Sequence, residues 1–204
     1  MIPYLPYGIY ADLRTASNMR FQIQSELTRV QNRISRWFNI YFPEYKTVYG
    51  KPDAISGMMI LKKAPLPEDI LTLGVEGVNQ IWRDAKIGAV GKNRAQTLVE
   101  TARHSVETKE GATAARIEIR MLLEDYESRS SRLQEVMLLI EELVKQIPMA
   151  EKLMEIKSVG IKTVSGFLVE VGDISRLSNP KELQKLAGLA LVENSFGKHK
   201  DRQQ

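Results

Sequence analysis

The sequence predicts an all-α protein built on two long heptad-patterned helices and two small helical hairpin modules, and three observations carry that expectation. The stretches Leu13 to Tyr41 and Ala115 to Ile147 repeat apolar residues at alternating steps of three and four, the 3.5-residue spacing of a coiled-coil seam. Elsewhere Pro and Gly cut the chain into short helical pieces joined by tight turns. No stretch alternates apolar and polar residues with the period of two expected of a half-buried strand.

The chain's 204 residues leave room for one or two domains with a real core. With no cysteine, neither a disulfide framework nor a thiolate metal site is possible. No apolar run approaches the length of a membrane span, and Met1-Ile2-Pro3-Tyr4-Leu5-Pro6 lacks the basic start and long apolar middle of a signal peptide. A cytoplasmic location and no membrane partner are therefore expected. The net charge of +4 permits a nucleic-acid partner without requiring one, so the placement of the charges matters more than their sum.

Met1 to Gly8 reads as an extended, Pro-punctuated lead-in. The first long helix then carries Leu13, Ala16, Arg20, Ile23, Leu27, Val30, Ile34, Trp37 and Tyr41 in its seam. Its outward side sets Arg29, Asn32, Arg33 and Arg36 at i, i+3, i+4 and i+7, so three guanidinium groups and an amide share one strip. Such a strip suits a row of phosphates, and it equally describes an ordinary solvated face.

Phe42-Pro43 ends this helix, and Tyr45 to Pro52 reads as a loop. A short helix is expected over Asp53 to Lys63, followed by a break at Ala64-Pro65-Leu66-Pro67. Pro67 with Glu68 and Asp69 is a helix start, proline in the first turn and acids at the positive end. Short helices follow from about Val75 to Ala85 and from about Lys92 to His104. Glu107 to Gly111 is a polar linker into the second long helix.

That helix places Ala115, Ile119, Leu122, Tyr126, Arg129, Leu133, Val136, Ile140, Leu143 and Ile147 in its seam, and Pro148 stops it. At about 1.5 Å per residue it is roughly 50 Å long, so its seam needs a second helix. Periodicity alone leaves open whether that helix is the chain's own Leu13 to Tyr41 or belongs to another copy, in a homo-oligomer joined through Ala115 to Ile147. Arg129, the one charged seam residue, is expected to select register or partner.

Two turns carry the candidate chemistry. Gly88-Ala89-Val90-Gly91 is followed by Lys92 and Arg94, and Ile156-Lys157-Ser158-Val159-Gly160-Ile161 is followed by Lys162 and Thr163. Glycine, an apolar residue and glycine between short helices present backbone N–H groups at the start of the second helix, where the helix dipole also favours an anion. Both turns resemble the helix-hairpin-helix motif of DNA binders without sequence specificity, with Ser158 where the first glycine would stand. The same glycines would also let two helices approach closely. His104 and His199 have no second ligand at helical spacing, so no metal site is expected at either.

After the second turn come Gly166-Phe167-Leu168-Val169-Glu170-Val171-Gly172-Asp173-Ile174, Leu183-Gln184-Lys185-Leu186-Ala187-Gly188-Leu189-Ala190 and Asn194-Ser195-Phe196-Gly197-Lys198-His199-Lys200. This order of a glycine hairpin, an E-h-G-D-h turn, an A-G-L helix and a basic run resembles the C-terminal domain of the DEDD-type insertion-sequence transposases of the IS-one-ten class. Arg33-Ile34-Ser35-Arg36-Trp37, Tyr41-Phe42-Pro43-Glu44 and Gly88 to Ala95 also look like that family, so the resemblance covers nearly the whole chain.

The resemblance implies a DNA recombinase guided by a structured non-coding RNA, with four acidic residues holding magnesium ions and a nucleophilic serine. The family's acids lie upstream of the tract that resembles Tyr4-Leu5-Pro6, and its serine position falls on Phe196, with Ser195 next door. The expectation is thus a fragment of a transposase, binding DNA and RNA, self-associating and catalytically incomplete. Its expected parts are 1–50, a lead-in and basic helix; 51–111, a module with the first hairpin; 112–148, the coiled-coil helix; and 149–204, the C-terminal domain. Arg29, Asn32, Arg33, Arg36, Gly88, Gly91, Lys92, Arg94, Ser158, Gly160, Lys162, Thr163, Lys198 and Lys200 are its expected nucleic-acid contacts. A non-enzymatic helical assembly protein is the alternative.

Overall fold

The computed structural model describes residues 7–50, 54–88, 90–106, 110–174, 177, 179, 181 and 182. Among them the fold is all-helical: α1 (Ile9–Tyr41), α2 (Tyr45–Tyr49), α3 (Ile55–Lys63), α4 (Pro67–Asp84), α5 (Lys92–Arg103), α6 (Ala112–Lys145), α7 (Ala150–Met154) and α8 (Ile161–Val171). Within the described residues no helix is long and apolar enough to cross a membrane. The chain divides into two compact units, one formed by Arg20–Glu135 and the other by Met1–Met19 with Val136–Gln204.

In the Arg20–Glu135 unit, α1 supplies the partner that the seam of α6 requires. Trp37 Nε1 donates to the Ala115 carbonyl at 3.0 Å, and Glu26 Oε2 lies 3.3 Å from Arg129 Nε. Moving back along α1 thus means moving forward along α6, so the two run antiparallel here. Ala115, Ile119 and Leu122 are buried, as the seam predicts, and so is Leu123 beside it. The buried stripe is therefore wider than the two positions per heptad of a pure coiled-coil seam, as suits a helix that also covers a globular core.

That core takes in Trp37, Phe38 and Phe42 of α1, Ile60 and Leu61 of α3, Ile70, Val78 and Trp82 of α4, and Leu98 of α5. The stretch expected to be a loop after Pro43 instead contains α2. Its five residues are too few to be stable alone. Stacking holds it: the Tyr45 ring lies 4.3 Å from Phe38 and 4.7 Å from Tyr49. A Cβ on Gly57 would come within 2.1 Å of the Tyr45 hydroxyl, so α3 can pass this close only with glycine there.

The start of α4 follows the sequence expectation. Pro67 occupies its first turn, and the Asp69 carboxylate accepts the Leu66 N–H at 3.1 Å. Arg116 of α6 then reaches across to Asp69, with Nη2 2.8 Å from Oδ1, and to Glu68. Gly74, at φ 64°, breaks α4 into residues 67–73 and 75–84, which is why sequence and structure both restart a helix at Val75. In the other unit Val136, Ile140 and Leu143 of the α6 seam are buried, as are Ile147, just past the end of α6 at Lys145 and so beyond the helix expected to reach it, Ala150 of α7 and Val164, Leu168 and Val171 of α8.

Candidate nucleic-acid interface

Helical geometry places the arginine strip on the outside of the Arg20–Glu135 unit. Leu27, Val30, Ile34 and Trp37 turn one side of α1 inward, leaving Arg29, Asn32, Arg33 and Arg36 exposed on the other. None of the four has a side-chain partner among the described residues, whereas Arg103, Arg116 and Arg129 are all paired with carboxylates. From Arg29 to Arg36 the strip runs about 10 Å along the helix. Arg129 sits between Glu26 and Asp125, its Nη1 3.2 Å from Asp125 Oδ1. Its Nε faces Glu26 at ion-pair distance without the geometry of a hydrogen bond.

The turn before α5 is built by Lys86, at φ 55°, and by the Ile87 N–H, which donates to the Trp82 carbonyl at 3.0 Å. Gly91 is extended and caps α5, its carbonyl accepting Ala95 N–H at 3.1 Å. The cations that follow are committed. Lys92 Nζ lies 2.5 Å from Glu76 Oε1, and its hydrogen bond and charge hold the Glu76 carboxyl below its ordinary value. Arg94 turns back to α2, donating from Nη2 to the Val48 carbonyl at 2.7 Å and lying 5.3 Å from the centre of the Tyr49 ring. Arg94, expected to meet nucleic acid, is here a clamp on α2. Burial pushes the Tyr49 phenol far above its ordinary value, against the opposing pull of Arg94.

The turn before α8 likewise starts its helix from an extended glycine, and here the cation is free. Ser158 takes the left-handed conformation, φ 71°, at the position where the sequence substitutes it for glycine. Val159 N–H donates to the Ile156 carbonyl at 3.0 Å, and the Gly160 carbonyl accepts Thr163 and Val164 N–H at 2.9 and 3.0 Å. The first two N–H groups of α8, on Ile161 and Lys162, have no acceptor among the described residues, as expected at a helix start. Lys162 and Thr163 are exposed, and neither side chain is paired among the described residues.

Helix approach does not explain the glycines. A Cβ at Gly88, Gly91 or Gly160 would meet nothing within 4 Å, and none of the three has a left-handed φ. What they leave is open backbone in front of a helix, the arrangement that accepts a phosphate.

The remaining expected residues do not join these sites. Ser195, Phe196, Lys198, Lys200 and His199 lie outside the described residues. His104 Nδ1 is 2.9 Å from the Glu100 carbonyl on an exposed helix end. Among the described residues no three His, Cys, Asp or Glu side chains come together to hold a metal, and Glu68 and Asp69 are taken up by Arg116. These residues do not fit a magnesium site.

Two features escaped the sequence reading. Glu44 accepts the Ser105 hydroxyl at 2.6 Å and the Val106 N–H at 3.1 Å; burial raises its pKa, but these bonds outweigh it and hold the carboxyl below its ordinary value. Phe21, on α1, is 58% exposed, and its only sequence signal is an aromatic ring outside the seam.

Residues 150–204 match the sequence model of the Transposase IS116/IS110/IS902 family, a stretch that takes in α7, the Ser158 turn and α8. No curated protein and no solved structure matches the chain.

Proposed function

We propose that this chain is the nucleic-acid-holding part of a DNA transposase, binding DNA and a structured RNA and lacking a complete catalytic set among its described residues. The match of residues 150–204 to a transposase family carries the reading, because it falls on the turn whose backbone and lysine are both free. The unpaired arginine strip on α1 supports it with a second cationic surface. In the complete family enzyme magnesium would be held by acids that the described residues do not bring together.

Self-association belongs to the same proposal. With the seam of α6 filled by the chain's own residues, a second copy would meet α6 through outward apolar residues such as Ile117, Met121 and Leu138. Those residues also favour the second reading, a helical assembly protein whose arginines are merely solvated.

Simultaneous Arg29→Glu, Arg33→Glu and Arg36→Glu substitution separates the two. Fluorescence titration with duplex DNA and with folded RNA should show a large loss of affinity and a salt slope reduced by about three, with the oligomeric state in sedimentation unchanged. Affinity that survives the triple reversal, or that never depended on salt, supports the assembly protein.

A further inference from the structure

The outward face of α1 does not begin at Arg29. About two turns earlier it carries Phe21, exposed over more than half its surface, with the Arg20 guanidinium 4.1 Å from the ring centre. At about 100° per residue, Ser25 stands about 40° round the helix from Phe21 and Arg29 about 40° further, so ring and strip lie side by side. A shallow depression of about 330 Å³ opens beside the ring, lined by Phe21, Gln22, Ser25, Glu26 and Arg29.

Each of these features has a use in holding an unpaired nucleotide. An exposed aromatic face stacks on any base, and an arginine on the ring's other side strengthens the stack. The amide of Gln22, the hydroxyl of Ser25 and the carboxylate of Glu26 offer donors and acceptors to a base edge. Glu26 would repel a phosphate, but it is partly neutralised by Arg129 at 3.3 Å. The three arginines beyond continue along a face about 22 Å long from Phe21 to Arg36, room for several successive nucleotides. A fully paired duplex keeps its bases inside its own stack and offers nothing to the ring.

We infer that Phe21, backed by Arg20, is a stacking platform for an unpaired base, and that the arginine strip follows the phosphates of the same single strand. This rests on the nucleic-acid reading above and adds the class of ligand: single-stranded DNA or RNA, or the unpaired part of a folded one.

Fluorescein-labelled oligo-dT, oligo-U and a blunt duplex of matched length test it by anisotropy on the full chain, with circular dichroism as the folding control. Phe21→Ala should weaken single-strand binding about 5- to 100-fold while changing duplex binding less than about twofold. Phe21→Trp should retain single-strand affinity, and its added tryptophan emission should be quenched on binding. Loss with oligo-U alone identifies the strand as RNA, and loss with oligo-dT as well admits both. If the unaltered chain binds all three ligands and Phe21→Ala changes none of them, or all equally, the platform is wrong and the nucleic-acid reading stands. If the unaltered chain binds none of them at low salt, both fall.

Discussion

Lys92 and Arg94, which follow the turn before α5, are held by Glu76 and by the Val48 carbonyl, whereas Lys162, which follows the turn before α8, meets no acid or carbonyl among the described residues. Both turns have a left-handed non-glycine residue, Lys86 or Ser158, and both start their helix from an extended glycine. The left-handed residue stands five positions before the glycine in the first turn and two before it in the second, so the turns share these two features while differing in path and in what their cations meet. A glycine-cornered turn is first a way of joining two helices. Under the proposed function, it would serve as a phosphate site only where the cations after it are left unspent.

The contrast between the two turns should show most strongly in stability. Arg94→Ala removes a hydrogen bond from a guanidinium to a part-buried carbonyl and the cation over Tyr49, and should cost about 1–3 kcal/mol in urea unfolding. Arg94→Lys should recover only part of it, since an ammonium lacks the planar fork. In protein that remains folded, nucleic-acid affinity should be unchanged. An affinity loss without a stability loss would show that Arg94 works as a ligand contact rather than a clamp.

Arg94 also marks the limit of what the sequence could tell. Helical periodicity is a local property, and so α1, α4, α5 and α6, the helix restart near Val75 and the exposure of Arg29, Arg33 and Arg36 were all legible from spacing. Arg94 and Val48 are 46 residues apart, and nothing in either one's neighbours says they meet. The same holds for Glu44 with Ser105, and for α2, a helix that exists because Tyr45 finds Phe38 to stack on. The seam of α6 was legible as a surface needing a partner, but its pairing with α1 is a tertiary fact. Ser158 stood out as a departure from glycine, and only the backbone shows that it keeps glycine's conformation.

The next effect is on affinity, and it sets the two lysines against each other. Lys162→Ala should weaken duplex DNA binding severalfold and reduce the salt slope by about one, with stability altered by less than about 0.5 kcal/mol. Lys92→Ala should do less, because its charge is already shared with Glu76. Glu76→Ala should then raise affinity, having released Lys92 toward the ligand. If Glu76→Ala leaves affinity untouched, the turn before α5 is structural even with its lysine free, which sharpens the contrast rather than removing it.

The smallest effect concerns what the turns have in common. An L-residue in the left-handed region costs about 1–2 kcal/mol relative to its right-handed form, because its Cβ crowds the following carbonyl. Ser158 is exposed, and its hydroxyl has no partner among the described residues, so Ser158→Gly gives up no contact there while relieving that crowding. The gain is offset by the greater freedom that glycine has in the unfolded chain, about 0.5–1 kcal/mol. The net should be a stabilisation of about 0.5–1 kcal/mol, seen as a small rise in melting temperature by circular dichroism. Lys86→Gly should behave alike, since its backbone is in the same region and its exposure is similar. Ser158→Val should move the other way, a β-branched side chain being the least tolerant of this conformation. A fall in stability for Ser158→Gly would mean that the serine hydroxyl holds the turn.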